Sequence, residues 1–338
     1  MNSIGVIGGG SWGTALSHLL AENGWSVDLW TYEEEVCKTI LEKKENSLFL
    51  PGIKLSPKIT PSNSLKNVTK NKELLFLVSP SHVIREVSIE LAPHIKKGCL
   101  AVNAAKGIEN NSLLTVNSIL KQTLPSSVSL ATISGPTFSE EIARRVPSAI
   151  VSASENIKNA KIVQKIISTP FLKVFTSTDI LGVELGGALK NVIAVSVGIA
   201  DGLKQGNNTR AALITRGLVE IKRIGTALGA RPETFSGLTG MGDLVLTCTG
   251  NMSRNRAVGI QIGQGKKLAD IISEMKMVAE GVNTVKSANT LLKKLGIRAA
   301  VIEETYQVLH EGKPALDALR DILMVETYSE FSGVKGLQ

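Results

Sequence analysis

At roughly 150 residues per domain, 338 residues imply about two domains and room for two sizeable cores, which excludes a marginal mini-protein. Hydrophobic residues at 43% and charged residues at 20% exclude bulk disorder, and 4% aromatics leave few stacking platforms for single-stranded nucleic acid. The net charge of +8 is spread evenly instead of forming a basic arm, which favours small anionic ligands over nucleic acid.

From residue 2 to about 180, short apolar runs alternate with longer amphipathic stretches, the pattern of βαβ units and a parallel sheet. Strands are predicted at Ile4 to Ile7, Trp25 to Thr31, Leu74 to Val78, Cys99 to Asn103, Ser129 to Ile133 and Ala149 to Ala153. Helices are predicted at Thr14 to Asn23, Glu33 to Lys44, His82 to Leu91 and Asn156 to Ile167. Leu50 to Ser64 carries Pro51, Pro57 and Pro61 and is expected to be a loop.

Beyond Asp179 the strand-like runs vanish. Leu181 to Leu203 is too long for a strand, and its small residues at 182, 186, 187, 188 and 194 would let other helices approach a buried central helix. Further helices are expected at Arg210 to Leu228, Asn255 to Gln264, Leu268 to Met275, Asn283 to Leu295 and Ile302 to His310. The fold class is α/β, an N-terminal Rossmann-type doubly wound sheet followed by an all-α C-terminal domain. The expected division is 1–179 for dinucleotide binding and 180–338 for substrate and catalysis.

Cys37, Cys99 and Cys248 form no C-x-x-C pair and are odd in number, so neither a disulfide framework nor a metal site is expected. No basic n-region and apolar h-region opens the chain, and the apolar stretch Asn191 to Leu203 is too short to span a bilayer, so a cytoplasmic protein without a membrane span is expected.

Gly8-Gly9-Gly10-Ser11-Trp12-Gly13 fits G-x-G-x-x-G between a predicted strand and a predicted helix. Gly8 would make the tight turn, Gly10 would admit a pyrophosphate and Gly13 would let the helix pack closely, with free N–H groups facing the anion. A glycine-rich turn without ligand is the competing reading. At the end of the second strand, Glu33 is a candidate acceptor from a ribose hydroxyl, and three acids at 33 to 35 would repel a 2'-phosphate, a lean toward NAD over NADP. The same acids would also favour a helix start, and both readings stand.

Lys190 falls within the apolar helix, where burial would lower its pKa and suit it to protonate a carbonyl oxygen as hydride arrives. A lysine snorkelling at a domain seam is the alternative. Asp243 is the one acid in the run from Phe235 to Arg254, either a turn residue or the partner that orients Lys190. Ser253 can cap the helix that follows, with Arg254 and Asn255 projecting from its first turn toward a phosphate. Lys106-Gly107 and Gly135-Pro136-Thr137 follow predicted strands at the edge where such sheets bind ligands. His18, His82, His94 and His310 lie outside all these segments, which disfavours histidine-dependent chemistry, and Cys248 is read as a buried core thiol.

These residues resemble the bacterial NAD(P)-dependent glycerol-3-phosphate dehydrogenases nearly end to end. The resemblance rests on GGGSWGTAL at 8–16, FLPGI at 49–53, AKGIE at 105–109, SGPTFSEEIA at 134–143, GVELGGALKNVIAV at 182–195, NNTRAALITRGL at 207–218 and GLTGMGDLVLTCTGNMSRNR at 237–256. It implies reversible hydride transfer between a nicotinamide and the C2 carbonyl of dihydroxyacetone phosphate, supplying sn-glycerol 3-phosphate for phospholipid synthesis. It also implies Lys190 as proton donor and acceptor with Asp243 beside it, and Ser253, Arg254, Asn255, Lys106, Gly135 and Thr137 on the substrate. Ser11, Trp12, Tyr32, Ser139, Val278 and Glu280, with Lys106 and Arg254, would line the cofactor site. Two departures stand out: Tyr32 occupies a position often basic in such enzymes, and Ser139 replaces a commoner alanine. A homodimer is in keeping with such enzymes.

Overall fold

The computed structural model describes residues 3–275 and 279–323. They fall into two compact units, the first ending at Ala105 and resuming at Val116–Ile180, the second made of Lys106–Thr115 and the described residues from Leu181 onward.

In the first unit, β1 (Ile4–Ile7), α1 (Ser11–Glu22), β2 (Val27–Trp30), α2 (Glu34–Lys43), β3 (Ile59–Ser62), α3 (Leu65–Thr69), β4 (Leu74–Leu77), α4 (Ile84–Leu91) and β5 (Leu100–Asn103) follow one another. Then come α5 (Val116–Thr123), β6 (Ser129–Ser134), α6 (Ser139–Ala143), β7 (Ser148–Ala153), α7 (Ile157–Ile167) and β8 (Leu172–Ser177). The eight strands lie in the order β3-β2-β1-β4-β5-β6-β7-β8. Central β1, β4 and β5 are buried along their whole length, as expected of strands covered on both faces. The order reverses between β1 and β4, so the turn after β1 opens at the switch point of the sheet, beside the carboxyl ends of its neighbours.

Three features depart from the sequence reading. The supposed loop 50–64 contains β3, which holds Pro61 because it is an edge strand and a missing N–H costs nothing there. The strand β8 was not anticipated, since its alternating burial is that of a short edge strand and its own Phe175 is exposed. Finally, β7 runs antiparallel to β6, and apolar periodicity carries no information on strand direction.

The second unit is helical: α8 (Ile180–Gly202), α9 (Gly206–Ala227), a π-turn at Leu238–Gly242, α10 (Asp243–Thr249), α11 (Arg254–Gly263), α12 (Leu268–Glu274), α13 (Glu280–Leu295), α14 (Ala300–His310) and α15 (Ala315–Leu323). At 23 residues α8 is longer than the 13-residue apolar stretch that argued against a membrane span, and by length and composition it could cross one; 89% of its most apolar window is buried inside the protein. Its own glycines explain how it is enclosed. A Cβ on Gly198 or Gly202 would sit 2.2 or 2.3 Å from the Arg256 or Ile260 carbonyl of α11, and one on Gly259 or Gly263 would strike α8 at 2.1 or 2.3 Å. Backbone therefore lies on backbone where these helices cross, further along α8 than most of the small residues that suggested close approach.

Candidate active site

Unit one supplies a cradle at the end of β1. Gly8 has φ +126°, and a Cβ on Gly13 would lie 1.8 Å from the Gly8 carbonyl, so α1 starts tight against the turn. Nothing lies within 4 Å of where a Cβ on Gly10 would stand, and Gly10 is followed by the first N–H groups of α1, which have no partner inside the helix, with Ser11 and Trp12 half-buried. Along the same edge, Tyr32 is 79% exposed and edge-on to Trp30, and Glu33 precedes α2 without a side-chain capping bond. Glu34 and Glu35 occupy the first turn of α2, where the helix dipole favours them, so the local and the ribose-binding readings are compatible. Buried Gly135, with φ +144°, and half-buried Thr137 and Ser139 follow β6. These residues fit a dinucleotide: a glycine turn, a helix start and a carboxylate after β2.

Unit two gathers a compact ionic cluster. Lys190, 6% exposed near the middle of α8, donates to the Asp243 Oδ1 and, at 2.6 Å, to the Thr247 hydroxyl. Lys106 donates to the other Asp243 oxygen at 2.6 Å. The Thr247 hydroxyl in turn donates to the Asp243 carbonyl one helical turn back, which leaves its lone pairs toward Lys190. Burial lowers the Lys190 pKa to about 7; the Asp243 carboxylate opposes that shift and the Lys106 charge adds to it. The backbone makes the approach possible, because a Cβ on Gly186, one turn before Lys190, would lie 2.7 Å from the Thr239 carbonyl in the π-turn that leads into Asp243.

Beside this cluster, Ser253 caps α11 by accepting from Arg256 N at 3.2 Å, and Arg254 is exposed on its first turn with the Glu280 carboxylate as countercharge. Asn255 does not project outward as expected: its carboxamide donates to Asn191 Oδ1 at 3.0 Å and accepts from Gly281 N at 2.9 Å, tying α11 and α13 to α8 next to Lys190. Asp201 fixes the same helix start by accepting from Arg256 at 2.7 Å and from Arg210 at 2.7 and 2.9 Å. Val278 lies outside the described residues. Cys248 is fully buried and its thiol pKa is pushed up to about 12 by that burial, an unreactive core position.

Lys190, Asp243 and Lys106 thus meet, while Ser253 and Arg254 start the neighbouring helix. Thr247 and Asn191 were not singled out from the sequence. The first sits one turn from Asp243 on the same helix face, and the second is a polar residue in an apolar helix, signals that were available.

A lysine held by a buried carboxylate, with its pKa lowered to about 7, has the chemistry to give and take a proton near neutral pH. The sequence profile of the NAD-dependent glycerol-3-phosphate dehydrogenase N-terminus matches residues 3–160, and that of the C-terminus matches 179–320. A glycerol-3-phosphate dehydrogenase [NAD(P)+] of Geobacter sulfurreducens is 51% identical over 97% of this chain and 98% of its own length, and one from Syntrophobacter fumaroxidans is 49% identical over 95% of each. The crystal structure of the Coxiella burnetii glycerol-3-phosphate dehydrogenase superposes with a TM-score of 0.92 at 34% identity, covering 95% of this chain and 98% of that one. With both halves matched and half the residues shared over nearly the full length, this chain belongs to the NAD-dependent glycerol-3-phosphate dehydrogenase family.

Proposed function

We propose that the protein catalyses reversible hydride transfer between a nicotinamide and the C2 carbonyl of dihydroxyacetone phosphate, with sn-glycerol 3-phosphate formed for phospholipid synthesis. The observation that carries the reading is the buried Lys190 ammonium, held by Asp243 and Thr247 and brought near neutrality. Gly8, Gly10, Ser11, Trp12 and Gly13 would hold a nicotinamide dinucleotide, which when bound would supply or accept the hydride. In reduction, the Lys190 Nζ gives its proton to the carbonyl oxygen as the C=O π pair becomes the O–H bond; in oxidation the neutral amine takes it back. Asp243 keeps Nζ aimed and stabilises its charged form, and Thr247 accepts from it to fix the remaining direction. The phosphate is assigned to Arg254, the capped start of α11 and Lys106, and Gly135, Thr137 and Asn255 are assigned to the substrate with them. Tyr32, Glu33, Ser139, Val278 and Glu280, with Lys106 and Arg254, are assigned to the cofactor.

The three glutamates at 33 to 35 and the uncharged Tyr32 support NADH over NADPH. The test is the initial rate of nicotinamide oxidation with dihydroxyacetone phosphate, NADH and NADPH side by side. Turnover with a clear NADH preference is expected. A preference for NADPH overturns the glutamate argument alone, and no turnover with either overturns the activity.

A further inference from the structure

Asn46, in the segment after α2, is fully buried and every polar group of its side chain is engaged. Its Nδ2 donates to the Gly9 carbonyl at 2.8 Å and to the Thr14 hydroxyl at 2.8 Å, while its Oδ1 accepts from Phe49 N at 3.1 Å. The Thr14 hydroxyl passes its own proton to the same Gly9 carbonyl at 3.1 Å. One carbonyl in the middle of the glycine turn therefore receives two donors, both from the protein interior. In a trans peptide the C=O and the N–H of one unit point in opposite directions. Holding the Gly9 carbonyl inward thus turns the Gly10 N–H away from Asn46 and Thr14, and Gly10 is exposed where Gly9 is buried. The reverse orientation of the carboxamide would set Oδ1 against the Gly9 carbonyl, so the network admits only this one.

We infer that Asn46 is a positioning residue for the dinucleotide: with Thr14, it locks the Gly9–Gly10 peptide so that the Gly10 N–H is presented to the pyrophosphate. The inference rests on the glycine turn being the pyrophosphate site. Asparagine is suited to this task because one carboxamide offers two donors in one plane, and glycine in the turn has too little steric preference to fix the peptide unaided.

The test measures NADH and ADP binding by titration in wild type, Asn46→Ala and Thr14→Val, with kcat and the KM for dihydroxyacetone phosphate at saturating NADH alongside. In Asn46→Ala the Kd for both nucleotides rises about tenfold, the worth of a buried hydrogen bond, while kcat and the substrate KM stay within about twofold. Thr14→Val, nearly isosteric, raises the Kd in the same direction, and the double variant loses less than the two singles together, because both act on one carbonyl. A wild-type Kd in Asn46→Ala, or a loss that falls on kcat and substrate KM as heavily as on nucleotide binding, overturns the inference and leaves the pyrophosphate site standing. If wild type binds neither NADH nor ADP, the reading of the turn falls and the inference with it.

Discussion

Replacing Gly186 by alanine places a methyl group 2.7 Å from the Thr239 carbonyl, where ordinary contact begins at 3.4 Å. The obstacle is backbone on both sides, so the π-turn must retreat from α8 by about 0.7 Å instead of a side chain swinging away. Asp243 follows that turn directly and pairs with Lys190 one helical turn along α8, so the retreat is spent on the pair itself. Overpacking of this kind costs about 1–3 kcal/mol of stability. A misplacement approaching 1 Å at the reacting groups costs up to about 100-fold in rate. We expect kcat/KM for dihydroxyacetone phosphate to fall about 10- to 100-fold. Gly263→Ala is the control: its methyl would lie 2.3 Å from the Ile199 carbonyl, more than two turns beyond Lys190, and should destabilise similarly while sparing kcat. A Gly186→Ala enzyme with wild-type kcat/KM, or a Gly263→Ala enzyme equally impaired, would refute the claim that this close approach sets the catalytic geometry.

Lys190→Ala should lower kcat by about 100- to 10,000-fold with NADH binding retained, and Lys190→Arg should restore little of it, because guanidinium keeps the charge but does not release its proton; turnover near wild type in either variant removes the assigned role. Since reduction needs the protonated amine, its rate should decline as pH rises through about 7, while oxidation should rise over the same range, and parallel rather than mirrored profiles would contradict the assignment. Glu220 offers a stability measurement apart from the site. It accepts from Val301 N and Ile302 N, and burial pushes its carboxyl up to about 7. The folded protein then binds a proton that the unfolded chain has released, so between about 4.5 and 7 stability falls with rising pH. Glu220→Gln should remove that dependence, gaining up to about 3 kcal/mol on wild type between pH 5 and 8 in urea unfolding, and a pH-independent difference would refute the shift.

Much of the sheet was legible because its central strands are continuous apolar runs and its first turn carries spaced glycines, both local signals. The edges were not: β3 hides behind prolines that only an edge tolerates, and β8 behind half-exposed alternation. In the helical unit, Gly237 to Gly242 reads as a turn, yet its glycines serve to let main chain touch main chain; a Cβ on Gly240 would lie 2.0 Å from the Phe235 carbonyl. Lys190 and Asp243 stood out as charges in apolar surroundings, and their pairing could be suggested from that. Asn46 could not, because nothing near it in sequence discloses that its partner is a glycine carbonyl 37 residues away. Asn255 shows the opposite limit: its place on a first turn was legible, its inward direction was not.

The second unit is not a continuous stretch of chain, and that bears on how it is made. Residues Lys106–Thr115 leave the ribosome long before α8 to α15, yet Ile108 belongs to the helical core and Ser287 on α13 donates to its carbonyl at 2.9 Å. During synthesis this ten-residue loop waits without its partners while the surrounding sheet completes. A gene fragment beginning at 181 would encode the helices but omit both a piece of their interior and the cation that faces Asp243 across from Lys190. A chimera joined at residue 181 would therefore take Lys106 and Ile108 from one parent and the helices that they pack against from the other.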